Sequence, residues 1–196
     1  MKYIILVLAI LGISQISNAQ TKTYKWDVVH SNINFEVDYL KISEVTGRFT
    51  QSSGSFTYSD KNFKDAKIKV TADVSSINTD NEKRDGHLKA PDFFDAEKFP
   101  AIVFESIDFK KVSNNQYDIT GSLTMKGITK TIIANAKYLG ETQDAYGQTF
   151  SLWKVTFTVN RQNYGVSFNK TNAAGDLVLG DEVRMSINAK FVLETK

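Results

Sequence analysis

Few side chains of this protein are of a type that does chemistry, and their spacing argues against most of it. There are two histidines, His30 and His87, and no cysteine. The lack of cysteine removes thiol nucleophiles, cysteine metal sites, disulfides and redox switching together. Neither histidine has a second metal-type ligand at a recognised spacing, so neither a metal nor any other cofactor is expected. No G-x-S-x-G elbow, phosphate loop or dinucleotide fingerprint occurs. Asp and Glu total 22, but most fall on strand faces that should be solvated. An enzyme would need a titratable group on an interior face, and Asp38 and His30 are the only candidates near one end of a strand.

Arg84 and His87 lie three residues apart and share a face if their segment is helical, with Asp85 turned aside. With Lys89 or Arg161 they would form a polar gate for an anionic headgroup. The other reading, which is favoured, is that Arg84 and Asp85 tie the helix to its support. An arginine fork fixes loop geometry as readily as it binds an anion. His30 falls on the polar face of its strand unless a bulge reverses it, which makes it a rim residue.

The elements that must position these residues are mostly strands. Period-two alternation of polar and apolar residues marks Ser31 to Tyr39, Ala66 to Val74, Tyr117 to Met125, Ile132 to Tyr138, Trp153 to Val159 and Val183 to Phe191. Ile33, Phe35, Val37 and Tyr39 share one face of the first. Shorter candidates are Val45 to Phe49, Gly54 to Tyr58 and Ala101 to Phe109. One segment breaks the period: Thr79-Asp80-Asn81-Glu82 reads as a capping box, and Pro91 disfavours helix at Ala90. Gly86 costs this helix about 1 kcal/mol relative to alanine. Leu88 is its only large apolar residue, so it is a surface connector or a lid. Phe93, Phe94 and Phe99 then plug or gate one end of the sheet. A plug is favoured, because aromatic rings bury large areas wherever they pack.

Eight or more antiparallel strands with one dry face need a cover, and one short helix is too little. The sheet must close on itself as a barrel or fold into a two-sheet sandwich. About eight strands make a barrel that side chains just fill, or that holds one small ligand. The net charge of +2 gives no electrostatic case for nucleic acid or an anionic membrane. At the N-terminus, Lys2, an apolar run from Tyr3 to Ile13 and Ser17-Asn18-Ala19 have the order of a cleaved secretory signal. The run is shorter than the roughly 20 residues that cross a bilayer. Residues 1–19 are therefore expected to be removed, leaving 20–196 as a single domain without a lipid-attachment cysteine.

An ordered set of short motifs runs through that domain. They are Asp27-Val28-Val29-His30-Ser31-Asn32-Ile33-Asn34-Phe35, Gly47-Arg48-Phe49, Arg84-Asp85-Gly86-His87-Leu88, Phe93-Phe94-Asp95 and Phe99-Pro100. Gly121-Ser122-Leu123-Thr124-Met125-Lys126-Gly127-Ile128-Thr129-Lys130, Asn160-Arg161, Tyr164-Gly165 and Asp181-Glu182-Val183 complete it. In this set the chain resembles the YceI-like family. It departs at Asp38-Tyr39, where many members carry a histidine, often followed by methionine.

The resemblance implies an all-β, lipocalin-like fold: an extended eight-stranded antiparallel barrel with one short helix connecting strands. It implies a lumen for a polyisoprenoid or similar long-chain lipid, held for storage or transport in the periplasm, with no bond made or broken. The expected lumen set is Ile33, Phe35, Val37, Phe49, Phe56, Ile68, Val70, Phe104, Leu123, Ile132, Phe157 and Val159. His30, Arg84, His87 and Arg161 are the expected polar rim. The same apolar stripes would equally build a filled core, as in a structural or interaction module. An enzyme acting on a bound lipid is the third reading, and monomer and homodimer both stay open.

Overall fold

Hydrogen-bonded neighbours run antiparallel throughout the sheet of the computed structural model, which describes residues 20–195. The expected leader, residues 1–19, lies outside the described residues. The strands are β1 (Lys22–Trp26), β2 (Asn32–Tyr39), β3 (Ser43–Phe49), β4 (Ser52–Tyr58), β5 (Lys67–Asp73), β6 (Ile77–Asn78), β7 (Ala101–Lys111), β8 (Gln116–Met125), β9 (Ile128–Gln143), β10 (Thr149–Asn160) and β11 (Leu179–Leu193). One helix, α1 (Glu82–Leu88), lies between β6 and β7, and turns of 3-10 helix cover Val74–Ser76 and Arg161–Tyr164.

Neighbours pair in the order β1-β4-β5-β7-β8-β9-β10-β11, and β11 returns to β1, so eight strands close the ring. The remaining three are continuations. β11 pairs with β1 near its C-terminus and with β2 nearer its N-terminus, so β1 and β2 are two halves of one bent stave. β3 and β4 form a second, and β5 and β6 a third. Two of these bends have a local cause. Between β1 and β2, Asp27 Oδ1 accepts from the amides of Val29 and His30. After β5, Asp73 caps the 3-10 turn by accepting from the Ser75 amide.

The third stave ends early. β6 pairs with β3 through Arg48↔Asn78 and Phe49↔Ile77 alone, and the chain then turns into α1. Residues of α1 and of the segment after it close the wall where strand pairing stops. The capping box is not the one expected. Asn81 caps the helix by accepting from the Arg84 amide, and Asp80 before it has φ 58°. Thr79 is committed elsewhere, its hydroxyl donating to the buried Asp85.

Alternation placed the interior faces of the strands well, except at strand ends. Tyr39, expected inside, is 38% exposed because β2 runs out there into the 40–42 turn. At the end opposite α1 the interior is solid. Phe63, from the 59–66 connection, reaches in to pack on Tyr58, Tyr117, Tyr138 and Trp153 with ring centroids 4.8 to 5.4 Å apart. Phe56 and Tyr24 complete this floor, both fully buried.

Candidate functional site

Above the aromatic floor the barrel is hollow. A cavity of about 150 Å³ runs from the level of Trp26, Trp153 and Phe191 to Arg161, Val166 and Leu179 at the α1 end. On β11 its wall extends from Val183 to Phe191. At about 3.3 Å per residue and a strand tilt near 40°, that is roughly 20 Å along the barrel axis. So small a volume over that length makes a narrow apolar bore.

Of the expected lumen set, Ile33, Phe35, Val37, Phe49, Ile68, Val70, Phe104, Leu123, Phe157 and Val159 line this channel. Phe56 and Ile132 do not. Phe56 sits in the floor, 5.0 Å from Tyr58 and 5.7 Å from Trp153 between ring centroids. Ile132 packs, half-buried, against the second hydrophobic cluster, at the α1 end, without lining the channel. Alternation reports which face a residue is on, not its height in the barrel. Sequence reasoning left out the inner face of β11, although Val183, Met185, Ile187, Ala189 and Phe191 alternate plainly and all line the channel. Trp26 had no such signal, since β1 is only five residues long.

At the α1 end, Leu88, Phe93 and Phe94 also line the channel. Phe93 is buried and Phe94 stands edge-on to Phe49 at 6.3 Å, which is the packing of a plug. The helix therefore contributes to the wall through Leu88.

The four expected rim residues do not converge. His30 is exposed in the 27–31 turn, with Nδ1 2.7 Å from Asp27 Oδ2, and does not touch the channel. Burial pushes the Asp27 carboxyl up, but hydrogen bonds from His30 and the turn amides outweigh this and hold it below the usual range. Arg84 points back along the chain, donating from Nε to Thr79 Oγ1 and from Nη2 to the Thr79 carbonyl, both at 2.8 Å. Thr79 in turn donates from its amide to Asp85 at 2.8 Å. His87 faces another way, 2.7 Å from Asp92 Oδ2 and edge-on to Phe93 and Phe168. Arg84 and Asp85 are thus tied to Thr79, and His87 to Asp92, all within the 79–92 connection.

Arg161 alone of the four reaches the channel, and it is 3% exposed. Its guanidinium donates to the carbonyls of Gly180, Val166 and Leu179 and to Asp181 Oδ1. Burial lowers its pKa, against the opposing pull of Asp181. Asp38 lies outside the barrel, accepting from Arg184 at 2.7 Å. Among the described residues, then, Arg161 is the one ionisable group on the channel wall, and its donors already serve backbone. The wall can enclose hydrocarbon and offers no carboxylate or imidazole for acid–base chemistry.

A polar cluster that sequence reasoning missed closes the opposite end. Glu141 accepts from Tyr24, from Tyr58 at 3.0 Å and from Lys22 at 2.9 Å. Burial pushes the Glu141 carboxyl up, and these three donors outweigh it and hold the pKa below the usual value. Burial and the Glu141 bond push the Tyr24 phenol far up, and burial carries Tyr138 up to about 12. The members come from β1, β4 and β9, too far apart in sequence to be read as one group.

A family model described as the YceI-like domain matches residues 24–191. A UPF0312 protein of Staphylococcus aureus is 36% identical over 169 residues, covering 86% of this chain and 96% of that protein. Another, of Photorhabdus laumondii, is 38% identical over 133 residues, 67% of this chain and 69% of its own. Among solved structures, the YceI protein of Campylobacter jejuni superposes with a TM-score of 0.67 at 27% identity, covering 81% of this chain and 90% of that one. A polyisoprenoid binding domain from Saccharophagus degradans has a TM-score of 0.65 at 16% identity, covering 87% and 98%, which is a likeness of fold.

Proposed function

The chain belongs to the YceI-like domain family, and from that premise we propose that it binds a polyisoprenoid or similar long apolar lipid in the barrel channel. The observation that carries the reading is the channel itself, a narrow, wholly apolar bore above a packed floor. The fold it shares with a domain described as polyisoprenoid binding supports the same ligand class. Each methylene-sized group removed from water contributes about 0.8 kcal/mol, so several isoprene units supply more than about 10 kcal/mol. Lost freedom on association removes about 4–15 kcal/mol of this. A preformed channel keeps that loss toward the low end, which leaves a net affinity.

In this reading the protein stores or ferries its ligand through water and makes or breaks no bond. The signal-like residues 1–19 support export, and the family resemblance points to the periplasm as the compartment. The test is mass spectrometry of an organic extract of the natively purified protein, beside a Phe157→Asp variant shown by circular dichroism to stay folded. The expected result is an apolar compound in the wild-type extract and little in the variant, because an unpaired carboxylate in the bore repels hydrocarbon. A wild-type extract without apolar compounds, together with no binding of added prenyl lipids, overturns the reading.

A further inference from the structure

Two glycines face the interior of the barrel, and a phenylalanine ring lies over each. Gly47 of β3 is paired directly with Phe35 of β2. Gly121 of β8 is two residues from Leu123, the partner of Phe104 on β7. A Cβ at Gly47 would stand 2.3 Å from Phe35 Cζ and 2.8 Å from Thr79 Cγ2. At Gly121 it would stand 2.3 Å from Phe104 Cζ and 2.7 Å from the Glu105 carbonyl oxygen. Carbon atoms in good contact are about 3.5–4.0 Å apart. Any side chain at either position must therefore push a ring off the wall by about 1 Å.

Both rings line the channel. A ring displaced inward enters a bore of about 150 Å³. Glycine inside a strand weakens it, and it often marks a site where something must approach the backbone closely. Here the approaching group is a ring laid back to leave the bore clear.

We propose that Gly47 and Gly121 determine the ligand class by setting the width of the channel, which admits a methyl-branched chain because the Phe35 and Phe104 rings lie recessed. The width claim stands on the wall alone, and the ligand claim rests on the lipid-binding reading above. A straight alkyl chain needs only the width of its methylenes, whereas an isoprenoid needs side room for each methyl. Moving one ring inward by about 1 Å removes room comparable to a methyl group's reach, a loss that a branched chain feels more than a straight one.

Gly47→Ala is the informative variant, because the three atoms nearest its Cβ all belong to side chains, whereas those nearest a Cβ at Gly121 include the Glu105 carbonyl oxygen. Protein stripped of bound lipid is titrated calorimetrically with farnesol and with dodecanol, which has the same main-chain length without branches. Gly47→Ala is expected to lose at least tenfold in farnesol affinity and less than threefold for dodecanol. Adding Phe35→Leu, which removes the ring, is expected to restore farnesol binding. Equal losses for both alcohols, no loss, or no restoration overturns the assignment. Crystals of both proteins under xenon test the wall without any lipid. The gas is expected in the wild-type channel and displaced beside an inward-turned Phe35 ring in Gly47→Ala. A ring that keeps its place overturns the width claim. If wild-type protein binds neither alcohol, the lipid-binding reading falls, and the xenon result alone decides what the glycines do.

Discussion

Arg161 shows how a charged residue on an apolar wall can be structural. Its donors hold three carbonyls from two segments, at Val166 and at Leu179 and Gly180, that have to meet at the α1 end. Arg161→Ala leaves these acceptors unpaired in a buried place, at a cost of about 1–3 kcal/mol for each group left without water. Chemical denaturation is expected to show a loss of about 3 kcal/mol or more, and Arg161→Lys is expected to recover little of it. A single ammonium cannot span acceptors that a planar guanidinium reaches together. The sequence singled out Arg161, in the Asn160-Arg161 motif before Tyr164-Gly165, as a polar-rim residue. Its partners were illegible, because they are main-chain oxygens chosen by how β11 returns past the Arg161–Tyr164 turn.

At the scale of elements, the strands were legible and their ends were not. The period-two pattern located β2, β5, β8, β10 and β11, because a barrel strand has one dry face along its whole length. It missed β1 and β6, which are too short to show a period, and it assigned Tyr39 to the interior just where β2 leaves the barrel. The cluster of Lys22, Tyr24, Tyr58 and Glu141 ties β1, β4 and β9 together at the floor, and its pH behaviour follows from its shifts. The folded pKa of Glu141 is lowered, so its stabilisation is present above its ordinary value and is lost as pH falls through the folded one. The phenols are raised, so theirs is present below about pH 10 and is lost as pH rises toward the folded values, with Tyr138 near 12. Thermal melting is expected to be flat between these limits and to fall at both. Glu141→Gln should lower stability near neutral pH by about 2 kcal/mol and flatten the acid limb.

At the scale of the whole molecule, the barrel joins a solid half to a hollow half, and both come from the same kind of alternating strand. If the channel is filled by lipid, occupancy must stabilise the fold, since a ligand that binds only the folded state adds free energy by mass action. Saturation at about 100 times Kd adds about 2.7 kcal/mol. Delipidated protein is expected to melt lower than protein as purified, by several degrees, and to recover when a prenyl lipid is returned. Equal melting temperatures, with lipid shown to be present in one sample and absent in the other, would contradict that link.

The amino-acid sequence by itself determined that strands dominate, which face of each is dry, that no cysteine chemistry is available and that the chain resembles the YceI-like family. Those properties are local, written in residue types and their period. Only the tertiary structure decided that the interior is packed at one end and open at the other. It also separated Phe56 and Ile132 from the residues that line the channel, and set His30, Arg84 and His87 to three unrelated tasks. Height within a barrel depends on the stagger between strands far apart in sequence. Whether two inward residues leave a gap or fill it depends on what arrives from across the barrel, as Phe63 does from the 59–66 connection and as Phe35 does over Gly47.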